Sequence, residues 1–483
     1  MSFKEYDQEQ RFLLPPSLHD FLPEGHLAKV INEVVNELDL SELYARYSDL
    51  GCSAYHPKMM IKVLFYAYAL GERSSRVIAH RLKSDLAYMY LSALQHPDFR
   101  TICRFRQDNL TALKDLFVQL VRLCREMGMV SLGTIAIDGT KLKANASQRR
   151  TKRASNLEEE IAAIEKEMES LLKECQETDK REDELLGEEE SPYEVNPDLR
   201  DRQKLKEKLL KAKEKLQEGK AKEVNLTDEE ATTMLHKGHQ PQPSYNGEIA
   251  VEEHGIIVAA TLSSNAADYQ ALRELTEQVE ANTGEIPVSL LADSGFFSYE
   301  NLQYLEKRGV EGYIPDQRME SIRKGTSKHP EFHKGRFTYD EKSNTYTCPL
   351  GKTLRYKKLM RRGGKPALLI YRGQECPHCP RRGECTRSIQ RTISWDPREF
   401  LLQRMRARLT TVEGKRRYGK RKYLVEPVFG DMKENRHMGK LLLRGKRKAK
   451  GEFLLMCIVH NLRKMAKHLR LREREPQLVP LPV

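Results

Sequence analysis

The 483-residue sequence predicts an α/β fold, with a mixed-sheet core interrupted by two insertions and preceded by an all-α region. Three observations lead there. Apolar residues recur at helical spacing up to Gly128 and then give way to short apolar runs of strand type. Two of those runs close on an aspartate with a glycine just beyond it, at Asp138-Gly139 and Asp293-Ser294-Gly295. Two long stretches, 155–222 and 316–410, break the rhythm. The predicted division is therefore 1–128, helical; 129–154, a first core strand and a basic linker; 155–222, a hairpin insert; 223–315, the core continued; 316–410, a Cys-rich insertion; and 411–483, a C-terminal helical segment.

In the first region Leu27, Val30, Ile31, Val34, Val35 and Leu38 step by three and four. Pro57 starts a second helix and Gly71 ends it. A short basic segment, Glu72 to Leu82, follows. Two helices about a glycine turn fit a helix-turn-helix, and they fit an ordinary bundle with solvated arginines equally well. A last helix is expected from Leu110 to Met127.

Leu132 to Thr140 reads as a buried strand ending in Asp138 and a glycine turn. In the insert, Leu157, Ile161, Ile164, Met168 and Leu171 form an a/d seam, and Leu205, Leu209, Ala212 and Leu216 form another. An acidic span with Pro192 and Pro197 separates them. The pattern is that of an antiparallel coiled-coil hairpin, serving as an arm or as a solvated spacer. Strand texture returns in Tyr245–Val251 and Gly255–Leu262, a hairpin, and in Val288–Gly295 and Gly312–Pro315, with helices opening at Asp268 and Tyr299. Helices are expected again from about Glu413 to Glu434 and from Lys450 to Leu471.

Composition bounds the class. No run of 18 apolar residues occurs, so no membrane span is expected, and Met1–Asp7 lacks the apolar stretch of a signal peptide. Nine scattered cysteines, an odd number, argue for reduced thiols or a metal site over a disulfide framework. The expected compartment is the cytosol, where nucleic acid is an available partner. Charge supports such a partner. Residues 401–450 hold 17 Lys/Arg against 4 Asp/Glu, and because the whole chain is also +13, the remainder sums to zero. Positive charge localised in this way is the footprint of a polyanion-binding face.

Within that basic field stands Glu426, which reads as a helix salt bridge or, with partners, as a metal ligand. Asp138 and Asp293 are its candidate partners, because reacting groups gather at strand ends of α/β sheets. Three carboxylates can hold two Mg²⁺ or Mn²⁺ ions about 3.5–4 Å apart, suited to in-line displacement at phosphorus.

The motifs Ile135-Ala136-Ile137-Asp138-Gly139-Thr140, Leu290-Leu291-Ala292-Asp293-Ser294-Gly295-Phe296 and Tyr418 to Lys433 resemble those of a DDE transposase of a bacterial insertion sequence. Pro97-Asp98-Phe99-Arg100-Thr101-Ile102 and Val459-His460-Asn461-Leu462 extend the resemblance over nearly the whole chain. It implies an RNase H-like core, a helical N-terminal DNA-binding domain, and Asp138, Asp293 and Glu426 as the metal-binding catalytic acids. Lys433, seven residues beyond Glu426, is implied at the phosphate. Tyr418 and Arg421 sit one residue off the family spacing, and Lys422 is the alternative to Arg421. Expected DNA contacts are Arg73, Arg76 and Arg81 in the helical region, Lys141 in the linker, and Arg421, Lys422, Arg444 and Arg447. The implied reaction hydrolyses a phosphodiester at each transposon end and then joins the freed 3′-hydroxyl to target DNA. Double-stranded DNA is the partner, and joining two ends implies a homodimer or larger synaptic complex. A nuclease without strand transfer and a non-catalytic DNA-binding derivative are the alternatives.

Cys348, Cys376, Cys379 and Cys385 form one CxxC and an incomplete second half, open to structural zinc, unliganded thiols or an iron–sulfur cluster. His378 and His333 are alternative ligands. Cys52, Cys103, Cys124, Cys175 and Cys457 lie on helical patterns and read as neutral thiols. Trp395, the only tryptophan, is a candidate for base stacking or for core packing.

Overall fold

The structure, a computed structural model, describes residues 17–47, 53–186, 197–218, 223–236, 238, 240–317, 325, 329–363 and 365–474. Met1–Asp7, Cys52 and the tip of the insert around Pro192 lie outside the described residues, as does the side chain of Cys175.

The N-terminal region is helical: α1 (Leu27–Glu37), α2 (Ser41–Tyr44), α3 (Pro57–Ala69), α4 (Ser75–Ser84), α5 (Leu86–Ser92), α6 (Phe99–Asp108) and α7 (Ala112–Glu126). Local chemistry sets the boundaries. His56 caps α3 ahead of Pro57, and Asp98 caps α6 by accepting from the backbone N–H groups of Arg100 and Thr101. Gly71, at φ +83°, turns the chain between α3 and α4, and a Cβ there would lie 3.0 Å from the Arg436 carbonyl oxygen. Buried apolar residues of these helices, of the central sheet and of the C-terminal helix Lys446–Arg474 form one continuous core.

The first strand is β1 (Thr134–Lys143). A small pair at the base of the insert follows, β2 (Thr151–Arg153) with β3 (Glu223–Asn225). Next come β4 (Thr232–Met234), β5 (Gln242–Glu252), β6 (Ile257–Ser263), β7 (Ser289–Ala292) and β8 (Glu311–Tyr313). The central sheet runs β4-β5-β1-β7-β8, with β6 also on β5. Strands β1, β5 and β6 pair antiparallel, whereas β1, β7 and β8 pair parallel, which makes the sheet mixed as expected. Both sides are covered. From α10 (Ala271–Thr283), Asn282 donates to the Val258 carbonyl. From the C-terminal helix, Phe453 lies over Gly247, where a Cβ would fall 2.8 Å from the ring, and Asn461 bonds both backbone groups of Ile257.

Two predictions need correction. The first strand does not end in a turn at Asp138-Gly139. It pairs with β5 through Asp138↔Ile249 and Gly139↔Glu248 to Lys143↔Ser244, and only the pairing with β7 stops, at Ile137↔Ala292. The single helix expected from Glu413 to Glu434 is broken into Val412–Gly419, Arg421–Leu424, Glu426–Gly430 and a π-helical turn, Asp431–Asn435. Pro427 is the physical reason for the break before Glu426, because it has no N–H to offer a preceding turn and so sits at the start of a new one.

The insert forms two helices, α8 (Ala154–Leu186) and α9 (Pro197–Glu218). Ion pairs Glu158–Lys213, Glu165–Lys206 and Glu167–Arg202 run in opposite chain directions, so the helices are antiparallel. Leu157, Ile161, Ile164, Leu209, Ala212 and Leu216 bury a small core of their own. The Cys-bearing stretch carries a separate antiparallel sheet in sequential order: β9 (Thr338–Asp340), β10 (Thr345–Thr347), β11 (Thr353–Arg362), β12 (Lys365–Gly373) and β13 (Thr392–Trp395).

Candidate active site

Asp138 and Asp293 are brought together by strand register. The parallel pairing of β1 with β7 aligns Ile137 with Ala292, so the next residue of each strand is an aspartate. At that point β7 leaves the sheet. Asp293 caps a short 3₁₀ turn, Ser294–Phe296, and its Oδ1 accepts from the Gly295 N–H at 2.8 Å. Asp138 thereby loses its strand neighbour on that side.

Glu426 is linked to Asp138 through Arg421. The Arg421 guanidinium donates from Nη1 to Asp138 Oδ2 at 2.9 Å and from Nη2 to Glu426 Oε1 at 3.4 Å. Arg421, one residue off the expected spacing, therefore sits among the acids. Glu426 is half exposed, whereas Asp138 and Arg421 are mostly buried. Burial pushes the Asp138 carboxyl up to about 6; Arg421 opposes the shift and Asp293 adds to it. Burial also works against the charge on Arg421, but the acids around it, Asp138 foremost, hold it above its ordinary value.

The donor set is all carboxylate oxygen, with more negative charge than one guanidinium offsets. That chemistry fits hard divalent cations such as Mg²⁺ or Mn²⁺. Among the described residues, the one trio of metal-capable groups whose ligand atoms all lie within 4.8 Å of one another is elsewhere: His329, Glu331 and Glu384, all exposed. Arg381 already binds both of those carboxylates.

Lys433 does not stand free. Its Nζ donates to the Lys141 carbonyl at 3.1 Å, and burial lowers its pKa. Among the expected DNA contacts, Arg73 is turned inward, donating to the carbonyls of Lys440 and His437 beside Glu452. Arg76 is exposed over the Phe99 ring, and Arg81 pairs with Glu72 and Asp85. Lys141 is held by Asp268 and the Ala266 carbonyl. Lys422, Arg444 and Arg447 are exposed, with Arg444 also donating to the Asn145 carbonyl. Trp395 lies against the small core of the Cys-bearing sheet, its ring 6.4 Å from that of Tyr339 and nearly parallel to it.

Three polar residues beside the motif glycines were not singled out from sequence as site residues. Asp268 lies between the two motif glycines: a Cβ on Gly139 would fall 2.8 Å from its Oδ1, and one on Gly295 would fall 2.9 Å from its Oδ2. Asn246 donates from Nδ2 to Asp268 Oδ1 and to Glu248 Oε1, both at 2.6 Å. Burial first, then Asp268, pushes the Glu248 carboxyl up to about 8. The available signal was Asn246-Gly247-Glu248, a polar break inside an apolar strand.

Two protein families match the chain by sequence. The Transposase DDE domain matches residues 347–466, which hold Glu426 and Lys433, and the Transposase domain (DUF772) matches residues 16–108. Asp138 and Asp293 lie between the two matched stretches. No curated protein matches the chain. Flanking the paired aspartates on both sides, the two matches support a DDE transposase of an insertion sequence.

Proposed function

We propose that this transposase cuts transposon ends and joins them to target DNA by phosphoryl transfer at Asp138, Asp293 and Glu426, with an RNase H-like core presenting them. One observation carries the reading. Strand register aligns the two aspartates, and Arg421 links the first of them to Glu426. The order β6-β5-β1-β7-β8, antiparallel on one side of β1 and parallel on the other, supports the RNase H-like assignment.

Asp138, Asp293 and Glu426 would hold a pair of Mg²⁺ or Mn²⁺ ions. When bound, such ions activate the attacking oxygen and stabilise the leaving one. The protein's own residues do the rest. The raised pKa of Asp138 marks a carboxylate kept short of compensating charge, and so ready for a cation. Arg421 holds Asp138 and Glu426 at a common point until one binds. Lys433 fixes the β1 backbone three residues beyond Asp138. Exposed Lys422, Arg444 and Arg447 neutralise the DNA backbone, and Arg76 is positioned to do so from the helical region. The two-ended reaction calls for a homodimer or larger complex.

The test is incubation of the full chain with the inverted repeats that flank its gene, in Mg²⁺. Nicked ends and joined products are expected. Nicks without joined products would make it a nuclease, and binding without nicks would make it a DNA-binding derivative. Wild-type cleavage by Asp138→Ala or Glu426→Ala would overturn the catalytic assignment.

A further inference from the structure

We infer that Cys348, Cys376, Cys379 and Cys385 hold a structural zinc ion that staples the Cys-bearing sheet. The four thiols come from two places in the chain that the fold brings to one cavity; no three of their sulfurs lie within 4.8 Å of one another, so a shared ion would draw them closer. Cys348 follows β10, and the other three lie in the turns between β12 and β13. All four line one cavity of about 30 Å³.

The surroundings are those of a thiolate site. The Lys352 N–H donates to Cys348 Sγ at 3.3 Å, in the tight turn Cys348-Pro349-Leu350-Gly351. Gly373 packs so closely that a Cβ would fall 2.5 Å from Cys376 Sγ, so the backbone leaves room for sulfur at that point. Four thiolates on one Zn²⁺ leave net negative charge. Lys352, itself paired with Glu375, lies near Cys348 and Cys379, and Arg391 donates to the Cys385 carbonyl at 3.1 Å. Cys124 and Cys457 provide the contrast. Both are fully buried in the main core, where burial pushes their thiols up, to about 12 for Cys124. They pack as small apolar side chains.

The sheet also needs a staple. Its own buried core is Phe337, Tyr346, Leu354, Tyr371 and Ile393, and β11 is exposed along most of its length. A unit this small and this open gains stability from a metal more readily than from burial. The stapled sheet ends at Trp395, from which Asp396 leads into the helix Glu399–Thr410 ahead of the catalytic segment.

The inference is tested on the full chain purified without chelator, by metal analysis. About one equivalent of zinc per chain is expected, retained in Asp138→Ala and in Cys124→Ser and lost in Cys376→Ser/Cys379→Ser. If the double variant fails to fold, the wild-type protein still decides: thiol-specific mercurial should release the zinc, and cobalt substitution should give the visible absorption of a tetrahedral tetrathiolate. Less than about half an equivalent of zinc, or iron in its place, overturns the inference. A cobalt spectrum without sulfur charge transfer overturns it as well. None of these outcomes depends on the transposase chemistry.

Discussion

Two groups of carboxylates sit back to back on β1. Asp138 pairs across the strand with Ile249, and Gly139 pairs with Glu248, so the two acids point to opposite faces of the sheet. The front group, Asp138 with Asp293 and Glu426, is balanced by one arginine borrowed from a distant segment, and one of its members is half exposed. The rear group, Glu248 with Asp268, is supplied with donors, although Glu248 Oε2 has none and Asp268 is partly exposed. Asn246, Ser263 and Lys141 donate into it, and Glu248 is almost fully buried. Burial raises both Asp138 and Glu248, and the front group differs in holding a half-exposed acid, Glu426. Buried acids met by donors specify a structure, whereas under the proposed function the front acids, short of counter-charge, are the ones that would take a cation.

The largest expected effect separates the two groups by activity. Asp138→Asn should reduce Mg²⁺-dependent strand cleavage to background, whereas Glu248→Gln, which keeps the shape and the neutral charge of the protonated acid, should retain most of it. Equal loss in both, with both variants folded by circular dichroism, would make the rear group part of the chemistry. Next comes the wedge that joins front to rear. Gly139→Ala places a methyl 2.8 Å from Asp268 Oδ1 and 3.3 Å from Glu248 Cγ. Overpacking of this kind costs about 1–3 kcal/mol, to be read from urea unfolding. Adding Asp268→Ala should recover part of the loss, a coupling of roughly 0.5 kcal/mol or more. Strict additivity would show that Asp268 does not crowd this glycine.

Much of the front group was legible because its signals are local. Asp138 and Asp293 each close an apolar run, and Glu426 interrupts a basic field. The helical spacing from Leu27 to Leu38 and the seam at Leu157, Ile161 and Ile164 read correctly for the same reason. What failed was set by neighbours distant in sequence. The extension of β1 past Gly139 depends on β5, about a hundred residues on, whose pairing the glycine gave no reason to expect. Gly139 reads as a turn residue from sequence, yet its role is to leave room for Asp268. Arg73 looked like a solvated cation, but its partners, Lys440, His437 and Glu452, come from the other end of the chain. Strands β9 to β13 were read only as turn-rich, because β11 buries Leu354 alone and shows no alternation to detect.

The smallest effect is one of pH, and it distinguishes the two groups by window. The folded chain keeps a proton on Glu248 up to about pH 8, while an unfolded chain releases it near the ordinary value of 4.5. Between those limits the folded state binds more protons than the unfolded one. The stability that Glu248 contributes is therefore full below about pH 4.5 and is lost as pH rises through about 8, with a slope of at most ~1.4 kcal/mol per pH unit. For Asp138 the direction is the same, but the window runs only from 3.8 to about 6. Urea unfolding at a series of pH values from 7 to 9 isolates the rear group, since Asp138 has largely finished titrating by about pH 7. Glu248→Gln should lose stability less steeply than wild type over that range, and Asp138→Asn should run parallel to wild type. If the Glu248→Gln and wild-type curves stay parallel up to pH 9, Glu248 is ionised throughout.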